Sequence, residues 1–495
     1  MKKTKTLDAN GYPKFGMIDK VAYAAGDFGC NMSFSLKGTI QTFWLAFMML
    51  ETKYLSLLLL IVQIWDAIND PLIGSIIDSD RRTYKMGKFK TYILIGAIGL
   101  LVAGSLCFIP VPNASLIIKT IIFISGYVIW DACSTVANVP YGSMLSLITE
   151  DSGERAQLST WRSVGSMFGN MIPMVILPML IWHKEVDAQG NPVINPETGV
   201  QVETLLGERV FWVALIMGVL GFIAFMFMIK KITIRVPDNT VKVNEGEKFN
   251  IFKAFANFFK NRAAIGATLA AMAMFLGMNS ATTATSIMFA IYFGKASLSG
   301  LVSVIGFLPM FIFMPFIKKI VNKWGKKEAA AAGTVASLAG GLLMLVFPMI
   351  ANKNLALVVY ILALSIFGIG LGVYTCVSWA LMADAIDYNE WKTGKREEGT
   401  VYSLHSFFRK LAQGIGPSIV LLIMGALGYI SELGTEGQSA ATAANMCWLV
   451  AGLYLFSAVL MFVSITFIYN LDKKTLAKMT EELDARHAAE TATVE

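Results

Sequence analysis

The chain of 495 residues is 55% hydrophobic and only 15% charged, with a mean hydropathy of +0.60. That balance excludes an ordinary soluble domain and makes the bilayer the relevant solvent. The formal charge of +7 does not signal nucleic acid, because the basic residues sit in alternate loops between apolar runs, which is an orientation signal.

The start is polar, with Lys2, Lys3, Lys5 and Lys14, and leads into a long helix instead of a cleavable signal. With roughly 20 residues as the length of a crossing, the apolar pattern predicts twelve spans. They fall at 21–49, 53–78, 90–110, 115–147, 160–182, 210–232, 263–293, 298–321, 329–350, 355–386, 401–428 and 443–470. The loop at 183–209 carries two turn signals, Gly190-Asn191-Pro192 and Pro196-Glu197-Thr198-Gly199, and reads as an external hairpin. Five cysteines (Cys30, Cys107, Cys133, Cys376, Cys447) lie in apolar segments without CxxC pairing and read as small core residues.

Basic residues crowd the N-terminus and recur at Arg81, Arg82, Lys85, Lys88 and Lys90, at Lys230 and Lys231, and at Lys318, Lys319, Lys323, Lys326 and Lys327. They return at Lys392, Lys395 and Arg396 and at Lys473, Lys474 and Lys478, while the intervening loops carry almost none. This alternation predicts both termini in the cytoplasm. The turn Lys85-Met86-Gly87-Lys88 after span 2 matches Lys323-Trp324-Gly325-Lys326 after span 8. Equivalent turns six spans apart predict an all-α membrane protein of two six-helix halves, 1–232 and 263–470. A cytoplasmic middle loop, 233–262, joins them, and a charged tail, 471–495, ends as a helix. In the middle loop Phe249, Phe252, Phe255 and Phe259 recur at helical spacing, either as an interfacial helix or as the lead-in to span 7.

The most informative stretch is Trp65-Asp66-Ala67-Ile68-Asn69-Asp70-Pro71. Asp66, Asn69 and Asp70 stand at i, i+3 and i+4, so they project from one helix face inside an apolar run. A charged side chain near the bilayer centre costs about 2.5–3.5 kcal/mol and seldom persists without a use. Oxygen groups converging on one buried face suit a small hard cation or an exchangeable proton. Asp27, Lys37, Asp131 and Lys410 add further charges within spans. Their joint cost rivals the stability of a whole fold, so they must share a wet cavity or pair across it.

At these residues the chain resembles the glycoside-pentoside-hexuronide:cation symporters, of which the melibiose carriers are best known. The resemblance is carried by Gly26-Asp27-Phe28-Gly29, the run Trp65 to Pro71, Gly87-Lys88-Phe89-Lys90 and Val139-Pro140-Tyr141. It continues through Ala383-Asp384-Ala385-Ile386-Asp387-Tyr388 and Gly394-Lys395-Arg396, in register from about residue 20 to 470. It implies the major facilitator fold and uptake of a sugar or glycoside with Na⁺ or H⁺ in a bacterial inner membrane. Expected partners are the sugar, the coupling cation and the lipid bilayer, with a monomer as the working unit. No cofactor beyond the coupling ion is expected.

Carried over by resemblance, Asp66, Asn69, Asp70 and Thr135 match cation-site positions. Asp27 and Arg162 match a carboxylate and a base that bind sugar hydroxyls, and Lys410 matches a lysine between the two sites. His405 and Ser406 fall where polar sugar contacts are expected. Two departures stand out: Asn138 replaces an aspartate of the melibiose members, and Gly142 replaces an aromatic that stacks on the sugar. Asp131, two helical turns before Asn138 and so about 10 Å away, compensates only in part. Trp130, Tyr374 or Trp379 is the expected replacement platform. Lys37 has two readings: with Arg162 and Lys410 it binds an acidic sugar, or it pairs with Asp131 or snorkels outward. Arg155, Asp384, Asp387 and Arg396 stand at cytoplasmic helix ends and read as a salt-bridge gate. Asn279, Thr282 and Thr283 either line the cavity or bond their own helix.

The expected mechanism is alternating access around a midplane site. An enzyme is not expected, since P-loop, HExxH and GxSxG arrangements are missing and the three histidines, His183, His405 and His487, are scattered. The alternative function is a lipid or drug carrier of the same fold, or a sugar sensor that does not transport.

Overall fold

The computed structural model describes residues 12–80, 82–149, 151–235, 258–394 and 398–494. Its first part holds α1 (Met17–Phe34), α2 (Leu36–Ala46), α3 (Thr52–Ser79), α4 (Lys88–Leu106), α5 (Leu116–Ser143), the short α6 (Leu145–Ile148), α7 (Ser152–Ile181) and α8 (Gly207–Lys231). The second holds α9 (Arg262–Met288), α10 (Ser299–Trp324), α11 (Lys326–Met344), α12 (Lys353–Thr393), α13 (Glu398–Ala426), α14 (Ala440–Val463) and α15 (Lys473–Val494). Helix starts are set by short polar side chains at Ser115, Asp151, Asn261, Asn352 and Ser439, each accepting a backbone N–H of the first turn. Such a cap contributes about 1 kcal/mol by satisfying an otherwise unpaired donor.

Helices cover all the predicted spans, and among the described residues nine of them are long and apolar enough to cross a membrane. The predicted spans at 21–49, 53–78 and 298–321 fall outside that nine. Span 1 is also not one helix. It breaks at Ser35, whose hydroxyl donates to the Met32 carbonyl at 3.0 Å and competes with the helical ladder.

Packing repeats along the chain. In the first bundle α1 meets α7 and α8, α3 meets α5, and α4 meets α5 and α8. In the second, α9 meets α13 and α14, α10 meets α12, and α11 meets α12 and α14, which is the same pattern one bundle later. The matching basic turns share their backbone too: Gly87 has φ 83° and Gly325 φ 111°, both left-handed-side values that a side chain resists.

The bundles meet through α3 with α13, α7 with α10 and α2 with α9. These contacts gather at the end of the molecule that carries the loop between α7 and α8. That loop is a hairpin: β1 (Trp182–Lys184) pairs antiparallel with β2 (Glu203–Leu205), Trp182 opposite Leu205. It reaches the second bundle, with Asn195 Nδ2 donating to the Glu436 carbonyl at 2.6 Å and Thr435 Oγ1 to the Glu203 carbonyl at 2.7 Å. Lys353 Nζ donates to the Thr198 carbonyl at 2.6 Å. At the opposite, basic end, Lys90 donates to the Ile232 carbonyl and Arg235 to Asp19, both within the first bundle. The tail helix α15 packs on the second bundle, with Trp391 Nε1 donating to Glu482 at 2.6 Å. Phe249, Phe252 and Phe255 lie outside the described residues, whereas Phe259 packs edge-on against Phe408.

Candidate transport site

Two polar clusters sit inside the first bundle. In the first, Arg162 of α7 donates through Nε to Asp27 Oδ1 of α1 at 3.0 Å. Asn31, one turn after Asp27, donates to Asp27 Oδ2 at 3.0 Å, and Asn170 donates to Asn31 Oδ1 at 2.8 Å. The Arg162 guanidinium lies 5.1 Å over the Tyr141 ring, which stacks on Tyr23 at 4.7 Å. Tyr141 hydroxyl donates to the Tyr23 carbonyl at 2.8 Å, so the aromatic floor is fixed from both helices. The Asp27 side chain is 7% exposed and that of Arg162 38%, so the carboxylate is sheltered and the guanidinium faces water. A planar donor beside an acceptor is the pairing that neighbouring hydroxyls require.

The second cluster joins α2, α3 and α5. Lys37 Nζ lies 3.5 Å from Asp66 Oδ2, both side chains about one-fifth exposed. Asn69, which is buried, donates through Nδ2 to Asp131 Oδ2 and to Thr135 Oγ1, each at 3.0 Å. Asp131 and Thr135 are one turn apart on α5, so one amide bridges them. Lys37 also lies 5.9 Å from the Tyr127 ring centroid, and Gln63 Nε2 holds the Tyr127 hydroxyl at 2.9 Å. Among the described residues, Asn69 Oδ1 is buried without a hydrogen-bond partner.

The other predicted site residues are placed as follows. Lys410 is half-buried on α13, where it feels the charges of Asp66 and Lys37. Asn138 is exposed, one turn past Thr135 on α5, and accepts a long Cys30 Sγ contact of 3.8 Å. Trp130 is buried in the core with Nε1 on Ser33 Oγ at 2.7 Å, and Tyr374 is buried with its hydroxyl on the Ala267 carbonyl. His405 is buried and shares a hydrogen bond with Thr268 at 2.9 Å, while Ser406 beside it is half-buried. The side chains of Asp70 and Trp379 lie outside the described ones, as does Arg396 as a whole.

Of the expected gate, Arg155 donates to the Thr149 carbonyl at 2.8 Å. Asp384 takes Lys326 as its partner at 2.6 Å, and Asp387 is half-buried one turn away. Thr282 bonds its own helix at the Met278 carbonyl, but Thr283 donates to Gln41 Oε1 of the first bundle. Sequence reasoning missed Asn31, Asn170, Gln63 and Tyr127. Asn31 was within reach, since it follows Asp27 at i+4. Gln63, three before Asp66, and Tyr127, four before Asp131, were in reach by the same spacing, whereas Asn170 lies two turns beyond Arg162.

The packing repeat and the polar interior together define a membrane transporter of the major facilitator fold. Comparison with known proteins agrees: the inward-open xylose transporter XylE from Escherichia coli superimposes with a TM-score of 0.57 at 13% identity. The match covers 94% of this chain and 98% of that one. The sequence model of the family described as MFS/sugar transport protein matches residues 22–473. An uncharacterized symporter, YnaJ, of Bacillus subtilis (strain 168) is 30% identical over 481 residues, 96% of each chain. The isoprimeverose transporter of Lactiplantibacillus pentosus is 27% identical, covering 96% of this chain and 92% of its own. A glucuronide carrier protein homolog of Escherichia coli (strain K12) is 26% identical, covering 94% and 95%. The chain belongs to the MFS/sugar transport family, the glycoside-pentoside-hexuronide symporters that its motifs resemble, and its function is sugar transport.

Proposed function

We propose that this protein imports a glycoside, pentoside or hexuronide together with a monovalent cation, Na⁺ or H⁺, across a bacterial inner membrane. Its two halves, 1–232 and 263–470, rock about a midplane site, with the loop 233–262, the tail 471–495 and both termini in the cytoplasm. Sugar hydroxyls bind at Asp27 and Arg162, with Lys410, His405, Ser406, Trp130 and Trp379 along the path. The cation acts at Asp66, Asn69, Asp70, Asp131, Thr135 and Asn138. Arg155, Asp384, Asp387 and Arg396 work at the cytoplasmic mouth.

The observation that carries this reading is that α1–α2 and α5 each serve both clusters. Asp27 and Lys37 lie on α1 and α2, and Tyr141 and Asp131 both lie on α5. A change of charge at Asp66 and Asp131 therefore moves the helices that hold Asp27 and the Tyr141 floor. Linkage then requires sugar and cation to tighten each other by the same factor. A membrane potential adds about 2.3 kcal/mol per charge per 100 mV to inward flow.

The test is uptake of radiolabelled galactosides, xylosides, glucosides and glucuronides into proteoliposomes under separately imposed Na⁺ and H⁺ gradients. Accumulation of one sugar class under one gradient is expected, and Asp66→Asn is expected to equilibrate that sugar without accumulating it. Normal accumulation by Asp66→Asn would remove the coupling role.

A further inference from the structure

We infer that the Lys37 ammonium is a tethered cation built into the carboxylate cluster, and that it bars Na⁺ and Li⁺ from the place a metal ion would take. The inference rests on the transport reading above and narrows its coupling ion.

Lys37 lies in the first turn of α2, just past the break at Ser35. It is thereby set on Asp66 Oδ2 at 3.5 Å, its ammonium 5.6 Å from the Phe34 ring centroid and 5.9 Å from that of Tyr127. The rings supply a negative face to a cation, so the ammonium is held on three sides. Hard metal cations require several oxygen ligands at contact distance. Here one carboxylate already faces an ammonium. The neighbouring acceptors, Asp131 Oδ2 and Thr135 Oγ1, both face the N–H side of the Asn69 amide. An ionised Asp131 holds that orientation, because a carboxylate accepts and cannot donate to the amide oxygen, which among the described residues lies buried without a partner. Lys410 adds a second positive charge from α13 within the field of Asp66. Among the described side chains, Lys37 and Lys410 balance the carboxylates Asp66 and Asp131, and a metal ion entering between them meets like charge.

The test uses purified full-length protein in proteoliposomes. Trp65 and Trp130 adjoin Asp66 and Asp131 in sequence, so tryptophan fluorescence reports on the cluster during a Na⁺ or Li⁺ titration, with choline holding ionic strength. The wild type and Lys37→Arg are expected to give no saturable response. Lys37→Gln, checked as folded by its thermal midpoint, is expected to gain one, with apparent Na⁺ affinity raised by about 100-fold or more once the like charge is gone. A saturable Na⁺ or Li⁺ response in the wild type overturns the inference, as does a folded Lys37→Gln that stays silent. If Lys37→Gln does not fold, silence in both the wild type and Lys37→Arg supports the inference, and a saturable response in either overturns it. Sugar counterflow in the same vesicles reads the transport proposal separately: its absence sinks that proposal and leaves the metal titration decisive for Lys37.

Discussion

Thr283 donates its hydroxyl to Gln41 Oε1 at 2.7 Å, and both side chains are buried between the bundles. Beside them Gly38 faces Thr282, and one turn along α9 Ser280 faces Gly416. The hairpin end of the molecule is therefore sealed by α2 and α9 at their point of contact, and a transporter that opens there must break this bond. Thr283→Val keeps the shape and leaves Gln41 with a buried unpaired acceptor, which costs about 1–3 kcal/mol in the sealed state. Since 1.4 kcal/mol is tenfold in a population, an impermeant maleimide should label a single cysteine at position 282 about tenfold faster in this variant. An unchanged labelling rate would show that the bond does not hold the seal.

The hairpin adds a second fastening at the same end. Asn195, Thr198 and Glu203 bond to Glu436, Lys353 and Thr435 of the other bundle. Each neutral bond contributes roughly 0.5–1.5 kcal/mol net, enough together to set which side faces water. Asn195→Ala with Thr435→Val should raise labelling at position 282 by several-fold and slow the return step of the transport cycle. The return step is read as the ratio of sugar exchange to net uptake, which should rise. A ratio equal to that of the wild type would make the hairpin a passive cover.

Much of this architecture was readable in the sequence, and the reasons differ by feature. The helices at 88–106 and 207–231 follow from apolar length alone, because the bilayer leaves the backbone no other way to pair. The repeat was visible in Lys85–Lys88 and Lys323–Lys326 because a glycine with positive φ cannot be replaced without strain. Asp66 and Asn69 stood out because polar groups in hydrocarbon are costly. What the sequence withheld was pairing. Asp384 was legible as a charge at a helix end, but not its bond to Lys326, which depends on how α11 and α12 cross. Spacing along α5 alone sets Asp131 too far from Asn138 to share its neighbours. It says nothing of α3, from which Asn69 reaches Asp131.

Asp27 and Arg162 give a direct test of the sugar site. Arg162→Lys keeps the charge and loses the fixed Nε geometry that meets Asp27 Oδ1. A hydrogen bond to a charged group is worth about 1.5–3 kcal/mol, so sugar affinity should fall about tenfold or more. The pair is partly open to water, which limits its weight in folding, so the thermal midpoint should move little. Equilibrium binding of the sugar found by the uptake panel, measured beside thermal unfolding, separates the two effects. A large loss of stability with unchanged affinity would reduce the pair to a structural strut.

Asp80 closes α3 at the basic end and accepts from Tyr84 hydroxyl at 2.5 Å, Tyr92 hydroxyl at 2.7 Å and the Arg82 amide at 3.0 Å. Tyr84 first, then Tyr92 and Arg82, hold its carboxyl down to about 2. A carboxyl depressed on folding contributes order that is fully present above its unfolded value, about 3.9, and is lost as pH falls through about 2. The turn between α3 and α4 should keep its amide protection from pH 7 to about 4 and lose it between about 4 and 2. Asp80→Asn should show the acid behaviour at every pH. Hydrogen exchange of residues 82–88, corrected for the intrinsic rate at each pH, reads both effects. Protection that is flat from pH 4 to 2, or a variant as protected as the wild type at pH 7, would mean that Asp80 does not anchor the turn.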